Sequence, residues 1–388
     1  MLSPVLAILA PGQGAQTPGF LAPWLELPSF AAQLAWASAV VGIDLIAAGT
    51  TGSAEEIRDT AVAQPLLVAA GLAVAAELGP LPRVVVAGHS VGELTAGAVA
   101  GALTTEAALV LARARGAAMA RAAALEPTGM AAVIGGDAEV VTAAVVQAGL
   151  TVANANGAGQ LVAAGSTVNL ERLPDLLAGL ARVVPLPVAG AFHTEYMAPA
   201  RDELESLREA VPVRDPRQPL LSNADGSAVT TGADLVNRLI AQVAAPVRWD
   251  RCLDALADRD VTVVVELAPG GTLTAIARRA LPGVAALALR TPDDLQSARA
   301  LLADQPDAHA SPTWRIVVSP SAGVFAPATR YAALLDPGAL IGHVRGRREE
   351  TAVHTPDGGH VIELLASDGD PVKAGQPLAR LHPLGVDA

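Results

Sequence analysis

Arg83-Val84-Val85-Val86-Ala87-Gly88-His89-Ser90-Val91-Gly92-Glu93 is the stretch on which the fold turns. Its first five residues read as a buried strand, and Val91 to Gly101 reads as a helix of small residues that follows at once. Between them lies Gly-x-Ser-x-Gly. A strand, a tight turn of this pattern and a helix make a nucleophile elbow, in which small flanking residues let strand and helix approach. The serine hydroxyl then projects at a helix N-terminus, where backbone N–H groups and the helix dipole favour a developing oxyanion. The competing reading is a structural Gly-rich turn with an incidental serine.

Outward from the elbow, short apolar runs alternate with longer helical ones, the rhythm of an α/β architecture. Val5 to Leu9 reads as a strand entering the loop Pro11-Gly12-Gln13-Gly14. Gln64 to Leu78 reads as a helix with Pro65 in its first turn. Thr104 to Ala124 reads as a helix capped by threonine. From Met130 the units shorten: strand 131–134, helix 139–148, strands 151–155 and 161–164, helix 168–180 and strand 182–187. That β-α-β-β-α-β order is a ferredoxin-like unit. The main pattern resumes with helices near 198–209 and 233–241, strands 262–267 and 285–289, and a helix 292–302.

The predicted organisation is a large domain over 1–303, made of 1–128 and 192–303 with the ferredoxin-like insert at 129–191. A polar, Pro-bearing linker covers 304–312, and an all-β module of short strands and turns covers 313–388. The module's expected strands are 315–318, 339–344, 351–354, 360–365 and 377–381.

Composition bounds the function. The chain of 388 residues is 52% hydrophobic but only 3% aromatic, so its core must be built mainly from Ala, Val and Leu. A formal charge of −12 gives no support for general nucleic-acid binding. The single cysteine, Cys252, permits no intramolecular disulfide and reads as a buried structural thiol; no metal site is expected. The N-terminal apolar run lacks an early positive charge, and runs such as Leu66 to Leu78 are too short to cross a bilayer. The expectation is a cytoplasmic protein without a membrane partner.

A serine nucleophile needs a base, and the chain has seven histidines. His89 adjoins Ser90 and would point away across the turn. His309, His343, His354, His360 and His382 fall in the linker or the β module. His193 is left, in Gly190-Ala191-Phe192-His193-Thr194, with a satisfied core histidine as the alternative.

Further motifs recur in order: Gly12-Gln13-Gly14-Ala15-Gln16, Ala63-Gln64-Pro65, Gly88 to Glu93, and Arg115-Gly116 with Met119. Asn154-Ala155-Asn156, Gly159-Gln160, Gly190 to Thr194, Ser222-Asn223 and Gln242 ahead of Pro246-Val247-Arg248-Trp249 follow. Over about residues 3 to 303 the chain resembles the malonyl-CoA:acyl-carrier-protein transacylases and the related acyltransferase domains of polyketide synthases. The resemblance implies a Ser90–His193 dyad whose histidine is oriented by the main-chain carbonyl of Gln242 rather than by a carboxylate. It implies an oxyanion hole from the backbone N–H groups of Gln13 and Val91. It places Arg115 on the malonyl carboxylate, with Gln64, Asn156 and Phe192 also lining the substrate site, and Val91 and Phe192 match the malonyl-selective pattern. Arg113 and Arg121 read as helix-surface charges. The implied partners are malonyl-CoA and an acidic acyl carrier protein of fatty-acid or polyketide synthesis, met by a rim on which Arg182, Arg278 and Arg279 are candidates. A serine thioesterase and a non-catalytic scaffold are the alternative readings.

Val353 to Val361, Gly369 to Leu378 and Ser319 to Gly342 resemble the two halves of a biotinyl/lipoyl flattened barrel. Such domains carry their cofactor on a lysine of an exposed hairpin, which here reads Gly346-Arg347-Arg348-Glu349-Glu350. The only lysine, Lys373, lies in the return turn. No attached biotin or lipoate is therefore expected, and the module is left with docking of a synthase or carboxylase component, support of a dimer, or no role beyond a retained fusion.

Overall fold

The computed structural model describes residues 5–81, 83–188, 190–303, 315–330, 333–346, 349–355 and 358–383, and the elbow strand lies inside its largest sheet. The chain enters that sheet with β1 (Val5–Ala10), then forms α1 (Pro28–Val41), α2 (Leu45–Thr50) and α3 (Thr60–Leu78). β2 (Val85–Gly88) leads through Ser90 into α4 (Gly92–Val99), followed by α5 (Thr105–Ala123). The insert supplies β3 (Thr128–Ile134), α6 (Ala138–Gln147), β4 (Thr151–Gly157), β5 (Gln160–Ser166), α7 (Thr167–Leu176) and β6 (Arg182–Pro185). The return contributes α8 (Ala198–Glu205), β7 (Leu220–Leu221), β8 (Ala228–Val229), α9 (Gly232–Gln242), β9 (Val247–Arg248) and α10 (Trp249–Ala257). β10 (Val261–Glu266), α11 (Thr272–Ala280), β11 (Ala285–Ala288) and α12 (Asp294–Ala303) complete it.

The main sheet runs β11-β10-β1-β2-β7-β8, parallel except for the last pair. Side chains of β1 alternate strictly between two cores, as the pleat requires. Leu6, Ile8 and Ala10 face the helices α1, α3, α4 and α5, whereas Ala7 and Leu9 face α10 and α11. Burial on both faces explains why β1 and β2 are continuous apolar runs. The ends of β1, β2 and β10 then lie side by side, which brings the Gln13 loop next to Ser90. At the end of β10, the buried Glu266 carboxylate accepts N–H bonds from Gly271, Leu273 and Thr274 at 2.8, 2.9 and 2.8 Å. It thereby caps α11, whose Leu273 and Ile276 line the same cavity as Ser90.

The insert forms an antiparallel sheet of order β6-β3-β5-β4, the ferredoxin-like arrangement, and β9 joins it parallel to β4. That join ties the insert to the segment following Gln242.

Three expectations are corrected. α3 begins at Thr60 rather than Gln64, because Asp59 caps it by accepting the Ala61 N–H at 2.9 Å; Pro65 is inside the helix, not in its first turn. At 19 residues α3 is also long and apolar enough to cross a membrane, against the sequence estimate, but most of its side chains are buried in the fold as those of a core helix. α7 ends at Leu176, short of Leu180, as the chain turns through Gly179 at φ 75°. Helices α1 and α2, for which the pattern raised no expectation, bury Phe30, Leu34, Ala37, Val41 and Leu45.

Contacts divide the chain into Met1–Asp307 and Ala308–Ala388. The predicted linker at 304–312 lies outside the described residues. The second unit has β12 (Arg315–Val318), β13 (Gly323–Pro327), β14 (Leu334–Leu335), β15 (Leu340–Arg345), β16 (Glu350–His354), β17 (Gly359–Leu364), β18 (Pro371–Val372) and β19 (Pro377–Pro383). They form two antiparallel sheets, β12-β19-β17-β14 and β16-β15-β13-β18, around a core with Phe325, Ile341, Val344, Val353, Val361 and Leu378. The short strands β13, β14 and β18 were not expected.

Candidate active site

Ser90 occupies φ 54°, the left-handed region that a side chain rarely adopts. Two glycines hold it there by letting the backbone close up. A Cβ on Gly88 would lie 2.1 Å from the Gly92 carbonyl, and one on Gly92 would lie 2.2 Å from the Ala10 oxygen. The strained turn is also clamped by Asn223. Its Oδ1 accepts the Ser90 N–H at 2.7 Å, and its Nδ2 donates to the Gly88 carbonyl at 2.7 Å.

His193 arrives from the end of the insert, also at positive φ, 63°. Its Nδ1 lies 2.8 Å from the Gln242 carbonyl and its Nε2 lies 2.7 Å from Ser90 Oγ. A carbonyl can only accept, so Nδ1 carries the proton and Nε2 presents a lone pair to the serine O–H. Burial, then the nearby Arg115 charge, pushes the His193 pKa down to about 3. Hydrogen bonds to Gln242 and Ala245 only partly oppose this. The ring is thus a neutral base at ordinary pH. Among the described residues no carboxylate side chain is hydrogen-bonded to it.

Arg115 projects from α5 to the same point. Gly116 makes the approach possible, since a Cβ there would meet the Thr60 carbonyl of α3 at 2.6 Å. The guanidinium is buried; Nη1 donates to Gln64 Oε1 at 2.8 Å, and Nη2 donates to Gln242 Oε1 at 3.0 Å and to Ser90 Oγ at 3.4 Å. Desolvation lowers its pKa to about 10, so it remains a cation.

The loop after β1 brings Gln13 alongside. Its side chain ties the loop to α3, donating to the Arg58 carbonyl at 3.2 Å and to Thr60 Oγ1 at 3.1 Å. The backbone N–H groups of Gln13 and Val91 have no hydrogen-bond partner among the described residues. A cavity of about 390 Å³ opens over Ser90 between the main sheet and the insert. Gln13, Gln64, Ser90, Asn156, Phe192 and His193 line it. Of the sequence candidates, Gln64 is engaged by Arg115, and Asn156 Oδ1 lies 3.0 Å from His89 Nε2. His89 packs edge-on to Trp249 with ring centroids 5.5 Å apart, a structural placement. Cys252 is buried, its S–H donates to the Ser222 carbonyl at 3.3 Å, and burial raises its pKa. Arg182, Arg278 and Arg279 are exposed, on β6 and α11.

Glu93 and Asn223 stood in the quoted motifs without a role. The structure buries Glu93 beneath the dyad, where Oε1 accepts the Asn223 N–H and Oε2 accepts from Gln242 Nε2, both at 2.6 Å. Burial pushes its carboxyl up to about 7, against the opposing pull of the Asn223 N–H and Arg115. The available signal was a lone carboxylate at the start of the small-residue run Leu94 to Gly101.

Residues 9–311 match the acyl transferase domain family. The malonyl CoA-acyl carrier protein transacylase of Mycobacterium tuberculosis is 50% identical over 296 residues, which are 75% of this chain and 98% of that protein. The crystal structure of the enzyme from the same organism superposes with a TM-score of 0.73 at 49% identity, covering 76% of this chain and 99% of that one. A malonyl-transacylase solved in complex with its type II PKS acyl-carrier protein gives 0.73 at 31% identity, with 76% and 99% covered.

The protonation state of His193 is directly checkable. Because both burial and Arg115 disfavour the imidazolium, its ring resonances in NMR should not titrate between about pH 5 and 8. A midpoint near the ordinary histidine value of about 6.5 would contradict the geometry described.

Proposed function

The chain belongs to the malonyl-CoA:acyl-carrier-protein transacylase family of acyl transferases, and on that premise we propose that Ser90 carries malonyl from coenzyme A to the carrier's phosphopantetheine thiol. Ser90 Oγ attacks the thioester carbonyl while His193 Nε2 takes its proton. The oxyanion is received by the Gln13 and Val91 N–H groups. As the tetrahedral species collapses, the imidazolium protonates the departing coenzyme A sulfur and leaves malonyl-Ser90. The carrier thiol then gives its proton to neutral His193 and attacks the ester. The second collapse returns the proton to Ser90 Oγ. This cycle supplies malonyl units to fatty-acid or polyketide synthesis.

The observation that carries the malonyl reading is the Arg115 guanidinium 3.4 Å from Ser90 Oγ. In a malonyl-serine the free carboxylate is one methylene beyond the acyl carbon, within reach of that guanidinium. Two parallel charge-assisted hydrogen bonds are then available. Acetyl brings no charge, and leaves the buried cation without its acid. Phe192 walls the same cavity, where an α-methyl would have to fit. Exclusion of one methyl is worth about 1–3 kcal/mol, a modest barrier against methylmalonyl.

The carboxy-terminal unit is best read as a biotinyl/lipoyl-like barrel without its cofactor. Supporting this are the two four-stranded antiparallel sheets and the hairpin that joins β15 to β16. In that hairpin the Gly346 N–H donates to the Glu349 carbonyl at 2.8 Å, while Arg347 and Arg348 lie outside the described residues. The hairpin sequence offers no lysine, and arginine cannot form the amide, so the residues do not fit either cofactor. Docking of a synthase or carboxylase component is the role proposed for it. Intact-mass measurement of the protein from its native host should give the unmodified mass; a biotinyl or lipoyl adduct would overturn this.

Arg115→Ala tests the substrate assignment. The expected result is a loss of malonyl transfer by about a hundredfold or more with acetyl transfer much less affected, and an unchanged melting curve. Equal malonyl-to-acetyl ratios in variant and wild type would refute the role of Arg115.

A further inference from the structure

Beneath the dyad lies a hydrogen-bond network with only one consistent assignment of donors and acceptors. Arg115 can only donate, and it points Nη2 at Gln242 Oε1, 3.0 Å away. On the other side of the same amide, Nε2 donates to Glu93 Oε2 at 2.6 Å and to Asn223 Oδ1 at 3.1 Å. The Gln242 amide therefore stands between an obligate donor and an acceptor. Glu93 faces donors at both oxygens, since Oε1 receives the backbone N–H of Asn223 at 2.6 Å. The ionised carboxylate satisfies both donors, and the Asn223 bond opposes the upward push that burial gives its carboxyl. The main-chain carbonyl of Gln242 meanwhile holds His193 Nδ1.

We propose that Glu93 is a positioning residue for substrate selection: through the Gln242 amide it fixes the orientation of Arg115 beside Ser90 and partly balances its charge until the substrate carboxylate arrives. Glu93 touches neither substrate nor the reacting atoms. It acts on Arg115 through Gln242, and on the Ser90 turn through Asn223. The two branches differ in rigidity. Asn223 presents a backbone N–H that cannot rotate, whereas Gln242 presents a side-chain amide that can.

Replacing the carboxylate by an amide therefore breaks a predictable branch. In Glu93→Gln the new carbonyl oxygen stays on the Asn223 N–H, and the new NH2 confronts Gln242 Nε2. Gln242 loses the acceptor that held its Nε2 at 2.6 Å, and turning the amide over to relieve the clash would aim an NH2 group at Arg115 and an oxygen at Asn223 Oδ1. Either way the Gln242 amide is no longer anchored and the guanidinium loses its register, while Asn223 keeps its two bonds to the Ser90 turn.

This inference rests on the malonyl reading and is tested by rates with malonyl-CoA and acetyl-CoA. For Glu93→Gln the malonyl-to-acetyl ratio of kcat/KM should fall about tenfold or more, chiefly through a higher malonyl KM. Glu93→Asp, which keeps both acceptors on a shorter stem, should recover part of the ratio. Gln242→Leu, which leaves the main-chain carbonyl in place, should lower the ratio similarly, and the double variant Glu93→Gln/Gln242→Leu should lose little more. If Glu93→Gln does not fold, Gln242→Leu alone decides. Parallel loss of both activities at a constant ratio would assign Glu93 a structural role and overturn the inference. Absence of malonyl loading in the wild type would overturn the transacylase reading together with it.

Discussion

A cation held out of water beside a nucleophile is the constraint on which this site depends. Removing a guanidinium from solvent costs several kcal/mol unless hydrogen bonds and opposite charge compensate. Arg115 has no carboxylate in direct contact among the described residues; two amide oxygens and the serine hydroxyl receive it. The balancing charge, Glu93, sits one amide further back. In the proposed reading the substrate carboxylate is the missing acid. Specificity, on that reading, follows from an electrostatic deficit rather than from shape alone.

The same charge shapes the base. An imidazole beside a buried cation resists protonation, so His193 needs no carboxylate behind it to remain neutral, only a carbonyl to fix its tautomer. An aspartate in that position would have raised its pKa and drawn Arg115 away from the acyl group. The proposed dyad and the proposed substrate reader are therefore linked through shared hydrogen bonds. Gln242 joins them, its main chain serving His193 and its side chain serving Arg115.

Much of this was legible in the sequence because the chemistry demands it locally. The elbow shows as glycines two residues either side of Ser90, which the close approach of β2, α4 and β1 forbids to any larger residue. The insert shows through its alternating element order, and Arg115 through the glycine after it. What was not legible depends on the third dimension. Glu93 and Gln242 are 149 residues apart, so nothing in either motif announces their bond. Helices α1 and α2 lie in Ala-rich sequence whose pattern is shallow, and only packing against α3 and α5 shows which side faces in. The start of α3 is hidden because Pro65 reads as a helix boundary, whereas Asp59 supplies the cap and the helix carries Pro65 within.

The central claim is that Ser90 becomes covalently malonylated because Arg115 receives the acyl carboxylate. Its most direct measurement is intact-protein mass spectrometry after brief exposure to malonyl-CoA, comparing wild type with Ser90→Ala. The account predicts a single malonyl adduct on the wild type, mapped by peptide digestion to Ser90 and discharged by added carrier protein, and none on the variant. Equal labelling of both proteins, or an adduct on another residue, would contradict it.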